Sequence, residues 1–368
     1  MIFYFKSRHA FYFPIPPTRI ISQLLIRDHI YLSLFYYIKS YMKKVKLERA
    51  ILSRISMNTI VTGGAGFIGS HMVDMLLARG DEVIVLDNLS SGRMEFLKDH
   101  IQDKNFRFIK IDLLDLEKLM RAVKGADMVF HLAANPDVRL GAENTRIHLE
   151  QNIIATYHLL EAMRVNKLRG IAFTSTSTVY GEAELIPTPE EYGPLVPISL
   201  YGASKLACEA LITSYCHTFD MKSWIFRFAN IVGQRSTHGI IVDFINKLRT
   251  DPGTLTILGN GRQRKSYLHV SDCVDAMLFS VKNSDEMANI FNVGSNDTID
   301  ATEIGKIVVE EMGLRKVGFS YTGGERGWKG DVPRMLLSIA KLQKLGWNPV
   351  HNSENSVRET ARSLLKDG

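Results

Sequence analysis

At 368 residues the chain has room for two domains, or for one domain with an added lobe, and its 45% hydrophobic and 23% charged residues exclude a disordered or fibrous protein. Its three cysteines, Cys208, Cys216 and Cys273, form neither a CxxC pair nor an even set, so no disulfide framework and no metal site is indicated and a reducing, cytoplasmic setting is expected. The net charge of +6 belongs to the first 56 residues, since removing their ten basic and two acidic side chains leaves 35 basic against 37 acidic, and nucleic acid is therefore not an expected partner.

Residues 1–56 differ in kind from the rest of the chain. They crowd in aromatics such as Phe3, Tyr4, Phe5, Phe11, Tyr12, Phe13, Tyr36 and Tyr37 and contain no glycine. Their longest largely apolar run, Ile30 to Ile38, is nine residues and far short of a membrane span. Lys6, Arg8 and Arg19 interrupt the apolar stretch and no small-residue cleavage site comes after it, which argues against a signal peptide. Met57 stands two residues before Thr59-Ile60-Val61, where a protein opening on its first strand begins. We expect translation to start at Met57, with 1–56 an upstream misreading or a poorly ordered extension; the alternative is a basic amphipathic patch, Tyr31 to Leu47, on a membrane surface.

Asn58-Thr59-Ile60-Val61 is a β-branched strand, Thr62 to Ser70 a glycine-rich turn, and Phe67 to Leu77 carries apolar residues at helical spacing. The turn holds Gly64-x-Gly66-x-x-Gly69 and, counted from Gly63, Gly63-x-x-Gly66-x-x-Gly69. Strand, tight turn and helix in this order aim backbone N–H groups and the positive helix end at a pyrophosphate, and glycine permits its close approach. Candidate contacts are Gly63, Gly66, Phe67, Ile68 and Gly69. Glycine turns are common, but a second strand, Val83 to Asp87, ends in a carboxylate 18 residues after Gly69. That is the spacing of an acid that accepts both hydroxyls of an adenosine ribose. A carboxylate there repels a 2′-phosphate, so the expected cofactor is NAD rather than NADP.

Asn88 to Arg93 reads as loop, Phe106 to Ile111 as a strand ending at Asp112-Leu113, and Glu117 to Lys124 as a helix stopped by Gly125. Asp127 to Ala134 reads as a buried strand running into Leu132, Ala133 and Ala134, where small residues leave space for a flat ligand. A helix is expected from Thr145 to Val165, then a strand over Gly170 to Thr178 that opens into a hydroxyl cluster. Pro187 to Pro197 is loop, Tyr201 to Phe219 a long helix, and Ser223 to Phe228 a strand. This alternation predicts an α/β fold, a Rossmann-type doubly wound parallel sheet over residues 57–233. Beyond Gly233 the segments read as shorter, more basic and richer in turns, such as Asp251-Pro252-Gly253 and Gly259-Asn260-Gly261. Residues 234–368 are expected to form mainly a smaller C-terminal substrate-binding lobe, with a stretch near 265–293 returning to the sheet domain.

Tyr201-Gly-Ala-Ser-Lys205 sets a phenol and an ammonium at i and i+4, on one face of a helix. A phenol in water has a pKa of about 10, roughly three units too high for a base at neutral pH. A neighbouring ammonium and a nicotinamide ring lower it, and Tyr201 then accepts a proton from a sugar hydroxyl as hydride leaves the same carbon. A Tyr and a Lys four apart are by themselves usually surface residues. Here the glycine turn upstream and the hydroxyl cluster on the preceding strand favour chemistry.

Residues 57–365 resemble the extended short-chain dehydrogenases, and most closely the nucleotide-sugar 4-epimerases typified by UDP-glucose 4-epimerase. The resemblance rests on Thr62 to His71, Asp87 to Gly92, His131 to Ala134, Phe173 to Gly181 and Tyr201 to Lys205. It implies Tyr201 as catalytic base, Lys205 as the residue that holds the ribose and depresses the Tyr201 pKa, and Thr176 as partner of the sugar 4-hydroxyl. It also implies cofactor contacts from Asn88, Asp112, Leu113, Leu132, Ala133 and Ala134 beside the glycine turn and Asp87, with Asn152 in the helix behind the site. For a UDP-sugar it points to Asn230, Lys265, Arg326 and Asp331. Lys265 stands where the family often has Arg, and Arg264 or Arg326 is the candidate for a planar contact; Trp328 interrupts the usual basic approach to Gly330-Asp331.

Relatives that dehydrate or decarboxylate nucleotide sugars usually carry an acidic residue inside the corresponding hydroxyl run. Thr176-Ser177-Thr178-Val179-Tyr180-Gly181 has none, so the implied reaction is reversible C4 epimerisation of a UDP-hexose, and the bulk of Met335 leans toward UDP-glucose and UDP-galactose. The alternatives are a UDP-N-acetylhexosamine 4-epimerase, a dehydratase or decarboxylase, or a catalytically inactive dinucleotide sensor. A homodimer pairing the faces Asn152 to Val165 and Leu206 to Tyr215 is expected, and no membrane partner.

Overall fold

The computed structural model describes residues 57–366 apart from Lys329; the expectations for residues 1–56 lie outside the described residues. In chain order the first half forms β1 (Asn58–Thr62), α1 (Phe67–Arg79), β2 (Glu82–Asp87), β3 (Phe106–Lys110), α2 (Leu116–Ala122), β4 (Met128–His131), α3 (Ala155–Val165), β5 (Gly170–Thr176), α4 (Leu200–Phe219) and β6 (Lys222–Phe228). The second half forms β7 (Asn230–Val232), α5 (Ile240–Thr250), β8 (Thr254–Ile257), β9 (Arg264–Lys265), β10 (Tyr267–His269), α6 (Val270–Asn283), β11 (Ala288–Val293), β12 (Ile299–Asp300), α7 (Ala301–Glu311), β13 (Gly318–Tyr321), β14 (Arg334–Met335) and α8 (Ser353–Lys366).

Seven strands make one sheet in the order β11-β6-β5-β4-β1-β2-β3, every pair parallel. Successive side chains of a strand face opposite sides, and both sides are dry here. Ile60, Leu86, Val129, Ile171 and Ile225 join one core, under α2, α3 and α4. Their neighbours Val61, Val85, Phe130, Ala172 and Phe226 join the other, under α1 and α6. A sheet covered on both faces needs such nearly continuous apolar strands. The strand order reverses between β1 and β4, which opens a crevice at their carboxyl ends. The glycine turn lies there.

A separate core of Val232, Ile241, Phe244, Leu255, Ile257, Ile304, Val308 and Val357 gathers α5, α7 and α8 with β8 and β13. After Gly233 the strands are short as expected, two to four residues apart from β11 with six. The helices are mixed, 11 residues in α5 and α7 and 14 in α6 and α8 but six in Ala340–Leu345. Turn residues are dense between these helices, but the apolar spacing inside each helix sets its length.

Three boundaries also differ from expectation. The strand expected to reach Ala134 ends at His131, and the Leu132 N–H to Thr62 carbonyl bond at 3.1 Å is the last of its ladder with β1. The strand expected to reach Thr178 ends at Thr176, whose hydroxyl caps a short 3-10 turn, Ser177–Tyr180. The helix expected over 145–165 is broken by a wider π turn, Leu149–Ile154, which buries Asn152. Wider turns of this kind re-aim side chains by one position.

Candidate functional site

The turn after β1 is shaped by backbone demands that only glycine meets. Gly63 has φ +69°, and a Cβ there would lie 2.7 Å from the Ala133 backbone. At Gly69 a Cβ would collide with the Gly63 carbonyl oxygen. Gly66 N–H donates to that same oxygen at 3.0 Å, closing the turn. Helix α1 starts with no side-chain cap and no acid in its first turn, so its N–H groups stay available beside Phe67 and Ile68.

Leu132 and Ala133 close the other side. Thr62 Oγ1 accepts Ala133 N–H at 3.3 Å and meets His131 Nδ1 at 2.7 Å, while His131 Nε2 meets Thr156 Oγ1 at 3.0 Å. Burial holds the His131 imidazole down at about 3, with the Lys205 charge adding to the effect, so it is a neutral strut between β1, β4 and the helix behind. Ala134 is the next residue along, before Asn135 meets Asn152.

At the end of β2, Asp87 accepts Ala65 N–H at 3.0 Å through Oδ2 and Leu89 N–H at 2.8 Å through Oδ1. Two bonds leave a carboxylate lone pairs for further donors, and burial raises its pKa against those bonds. Asn88 Nδ2 donates to Asp112 Oδ2 at 3.0 Å, and Asp112 Oδ1 accepts Leu114 N–H at 2.9 Å across Leu113. An uncapped helix end, a turn without Cβ atoms and an acid beside them suit a dinucleotide: pyrophosphate at the turn, ribose at Asp87.

Thr176 closes β5 and Tyr201 opens α4. Ser199 Oγ accepts Gly202 N–H at 3.1 Å, starting the helix so that Tyr201 falls in its first turn. A Cβ on Gly202 would press 2.8 Å from the Thr178 carbonyl oxygen, so this end of α4 sits directly on the turn after Thr176. Thr176 Oγ1 accepts Thr178 N–H at 3.2 Å. Lys205, one turn into the helix, donates from Nζ to the Thr174 carbonyl at 2.8 Å and lies 4.7 Å from the centre of the Phe173 ring.

One expectation needs correction: Lys205 does not depress Tyr201. The phenol is largely covered, and burial raises its pKa, with the Cys208 thiol the other cause. The ammonium points at the Thr174 carbonyl instead, and burial lowers it to about 8.

Asn152 stands behind the site as expected. Its Oδ1 accepts Asn135 N–H at 2.9 Å and its Nδ2 donates to Ser204 Oγ at 2.9 Å. Sequence reasoning missed His148, whose buried ring meets that of Tyr201 edge-on at 5.6 Å. It also missed Glu209 and Arg227, a buried ion pair at 2.8 Å beneath β5. The i, i+4 spacing of Glu209 from Lys205 was a usable signal; His148 had none, because the π turn places it.

On the substrate side, Asn230 Nδ2 donates to the Ser266 carbonyl at 3.1 Å. Lys265 and Asp331 form an ion pair at 2.5 Å, and Arg326 is held by Glu182 at 2.5 Å and by the Asp331 carbonyl at 2.6 Å. Of the two arginines offered for a planar contact, Arg264 faces away from Lys265, as neighbours on a strand do, and points out to Glu303 at 2.9 Å and Asp300 at 3.3 Å. Met335 pairs across the ladder with Lys265 and packs against the cluster of Val179, Tyr180 and Leu337. The structure thus brings Thr176, Tyr201 and Lys205 to one strand end, and groups Lys265, Arg326 and Asp331 separately.

The profile of the NAD dependent epimerase/dehydratase family matches residues 59–294. A putative UDP-glucose 4-epimerase of Methanocaldococcus jannaschii is 33% identical over 306 residues, which span 81% of this chain and 95% of that protein. UDP-glucuronic acid decarboxylase 4 of Arabidopsis thaliana is 33% identical over 326 residues, 86% of this chain and 69% of that protein. A crystal structure of a UDP-galactose 4-epimerase superposes with a TM-score of 0.76 at 43% identity, covering 84% of this chain and 99% of that one.

Proposed function

The chain belongs to the NAD dependent epimerase/dehydratase family and its cofactor is NAD, and from there we propose that it inverts C4 of a UDP-hexose, taking UDP-glucose and UDP-galactose. The observation that carries this choice is the hydroxyl turn. Thr176 to Gly181 offers no carboxylate, and three acids around it are engaged elsewhere: Glu182 with Arg326, Glu209 with Arg227 and Ser175, and Glu190 with the Asn292 N–H. Eliminating water, or handling a proton at a second carbon, needs another acid or base at the sugar. Moving one hydride and one hydroxyl proton does not.

Bound NAD supplies the hydride acceptor and donor. Tyr201 takes the proton of the sugar 4-hydroxyl and returns it, and Thr176 orients that hydroxyl. Lys205 presents its ammonium beneath the Tyr201 turn, and the positive nicotinamide ring offsets the burial that raises the phenol. Lys265 and Arg326 exchange their present carboxylate partners for the diphosphate, with Asn230 and Asp331 beside them. Residues 57–233 serve as the NAD-binding domain and 234–368 mainly as the substrate lobe. The faces Asn152 to Val165, where Tyr157 and Val165 are exposed, and Leu206 to Tyr215 are those on which a second copy pairs, as a homodimer, which sedimentation at micromolar concentration tests. Among the described residues no helix is long and apolar enough to cross a membrane, and a cytoplasmic site is proposed.

The purified protein, incubated in turn with UDP-galactose, UDP-N-acetylgalactosamine and UDP-glucuronic acid, tests the reading by NMR. Interconversion of UDP-galactose and UDP-glucose without loss of mass is expected. Turnover of the N-acetyl sugar alone would move the assignment to that substrate. Release of CO2 or water, or no turnover, would overturn it.

A further inference from the structure

Lys205 is buried to 2% exposure, and among the described residues no carboxylate lies within ion-pairing distance of it. Its hydrogen bond goes to a neutral carbonyl, that of Thr174. An ammonium taken out of water without a counter-charge is costly and tends to lose its proton. The groups facing it are few. Phe173 and Thr174 come from β5, the neutral His131 from β4, His148 from the helical turn before Asn152, and Cys208 and Glu209 from α4 itself. Burial holds both imidazoles below their usual range and the Cys208 thiol above its own, so these stay uncharged near neutral pH. Glu209 is the remaining acid.

Glu209 lies one helical turn beyond Lys205, so both side chains leave α4 on the face packed against β5. Its carboxylate is 4% exposed and fully engaged. Ser175 Oγ donates to Oε1 at 2.5 Å, and Arg227 donates from Nε to Oε1 at 3.1 Å and from Nη2 to Oε2 at 2.8 Å. Arg227 in turn donates from Nη1 to Tyr180 Oη at 2.9 Å and to the Glu190 carbonyl at 3.1 Å. One buried carboxylate thus stands between two buried cations. Lys205 and Glu209 grip Thr174 and Ser175, the two residues immediately before Thr176.

We infer that Glu209 is a positioning residue for the proposed reaction: its carboxylate, paired with Arg227, offsets in part the charge of the buried Lys205 ammonium from one turn away and fixes the Ser175–Thr176 end of β5 against α4. The inference rests on the epimerase reading for the meaning of Thr176 and Lys205, but the charge relation does not depend on it. Electrostatics agrees in sign, since burial lowers Lys205 while Cys208 and then Glu209 oppose that lowering.

The test uses the full chain with its NAD, wild type beside Glu209→Gln and Glu209→Asp, with Glu209→Met as a second neutral variant should the glutamine fail to fold. Lysine labelled with 13C at Cε lets Lys205 be titrated by NMR, its signal assigned by its loss in Lys205→Met. In the neutral variants the Lys205 midpoint is expected to fall by about one pH unit, and in Glu209→Asp to stay within a few tenths of wild type. The pH profile of hydride transfer, followed as absorbance at ~340 nm on mixing with UDP-galactose, should move toward acid with it. An unchanged midpoint in a folded neutral variant overturns the inference, whatever the melting temperature does. A shifted midpoint with no hydride transfer even in wild type upholds the charge relation and instead removes the epimerase reading.

Discussion

Tyr201 stands on the first turn of α4, which packs through Gly202 on the turn after Thr176. If it moves the proton, Tyr201→Phe should lower turnover by about 10²- to 10⁴-fold while NAD still co-purifies; near wild-type turnover would exclude it. His131 makes a prediction about stability rather than rate. Folded, it takes a proton only near pH 3, whereas the unfolded chain takes one near 6.5. The unfolded state therefore binds more protons between these values, so stability is full above about pH 6.5 and falls as pH drops toward 3, by on the order of 4–5 kcal/mol at the limit. In thermal melts from pH 8 to 4, His131→Asn should start from a lower Tm, having lost two buried bonds, yet show a shallower acid slope. An equal slope would assign the acid lability to other groups.

Elements are set here by close approach more than by propensity. The turn between β1 and α1 folds back until Gly69 touches the Gly63 carbonyl, and that contact presses the first turn of α1 toward the ends of β1 and β4. Gly69→Ala should cost about 1–3 kcal/mol by overpacking and yield protein without bound NAD, measurable as a lower Tm and a lower ratio of absorbance at ~260 to ~280 nm in the denatured extract. Retention of the cofactor would show that the turn can open without losing its grip. The π turn at Leu149–Ile154 acts in the opposite sense, adding room where α1 removes it. Through it Asn152 reaches both Asn135 and Ser204, tying the loop after β4 to the helix that carries Tyr201.

Across the whole molecule, β11 joins the sheet edge next to β6, and Asn292 near its end works as a tie. Its side chain accepts from Tyr180 Oη at 2.8 Å and donates to the Thr188 and Ser338 carbonyls at 2.9 and 3.1 Å. Three distant segments, the hydroxyl turn, the loop at 187–197 and the stretch after Met335, thereby keep one spacing. Asn292→Ala leaves three buried groups short of a partner, a loss of about 1–3 kcal/mol or more. It should raise KM for the sugar nucleotide by about tenfold or more through misplacement, with NAD content unchanged. An unaltered KM would mean the segments hold their places without it. The glycine turn, Asp87, the hydroxyl run and the Tyr201–Lys205 pair were legible in the sequence because each is a local pattern, a strand period, a helical turn or a turn that admits no Cβ. Lys265 and Arg264 were not separable there, since which of two neighbours faces inward depends on the register of β9 with β14. Glu209 meeting Arg227 and Ser175, and Asn292 spanning 112 residues to Tyr180, were equally hidden. By itself, then, the sequence determined the glycine turn, the sheet class and the Tyr201–Lys205 spacing. Tertiary structure alone decided which charges are buried together, because burial and pairing depend on what the topology brings alongside, and no spacing along one chain segment encodes its partner on another.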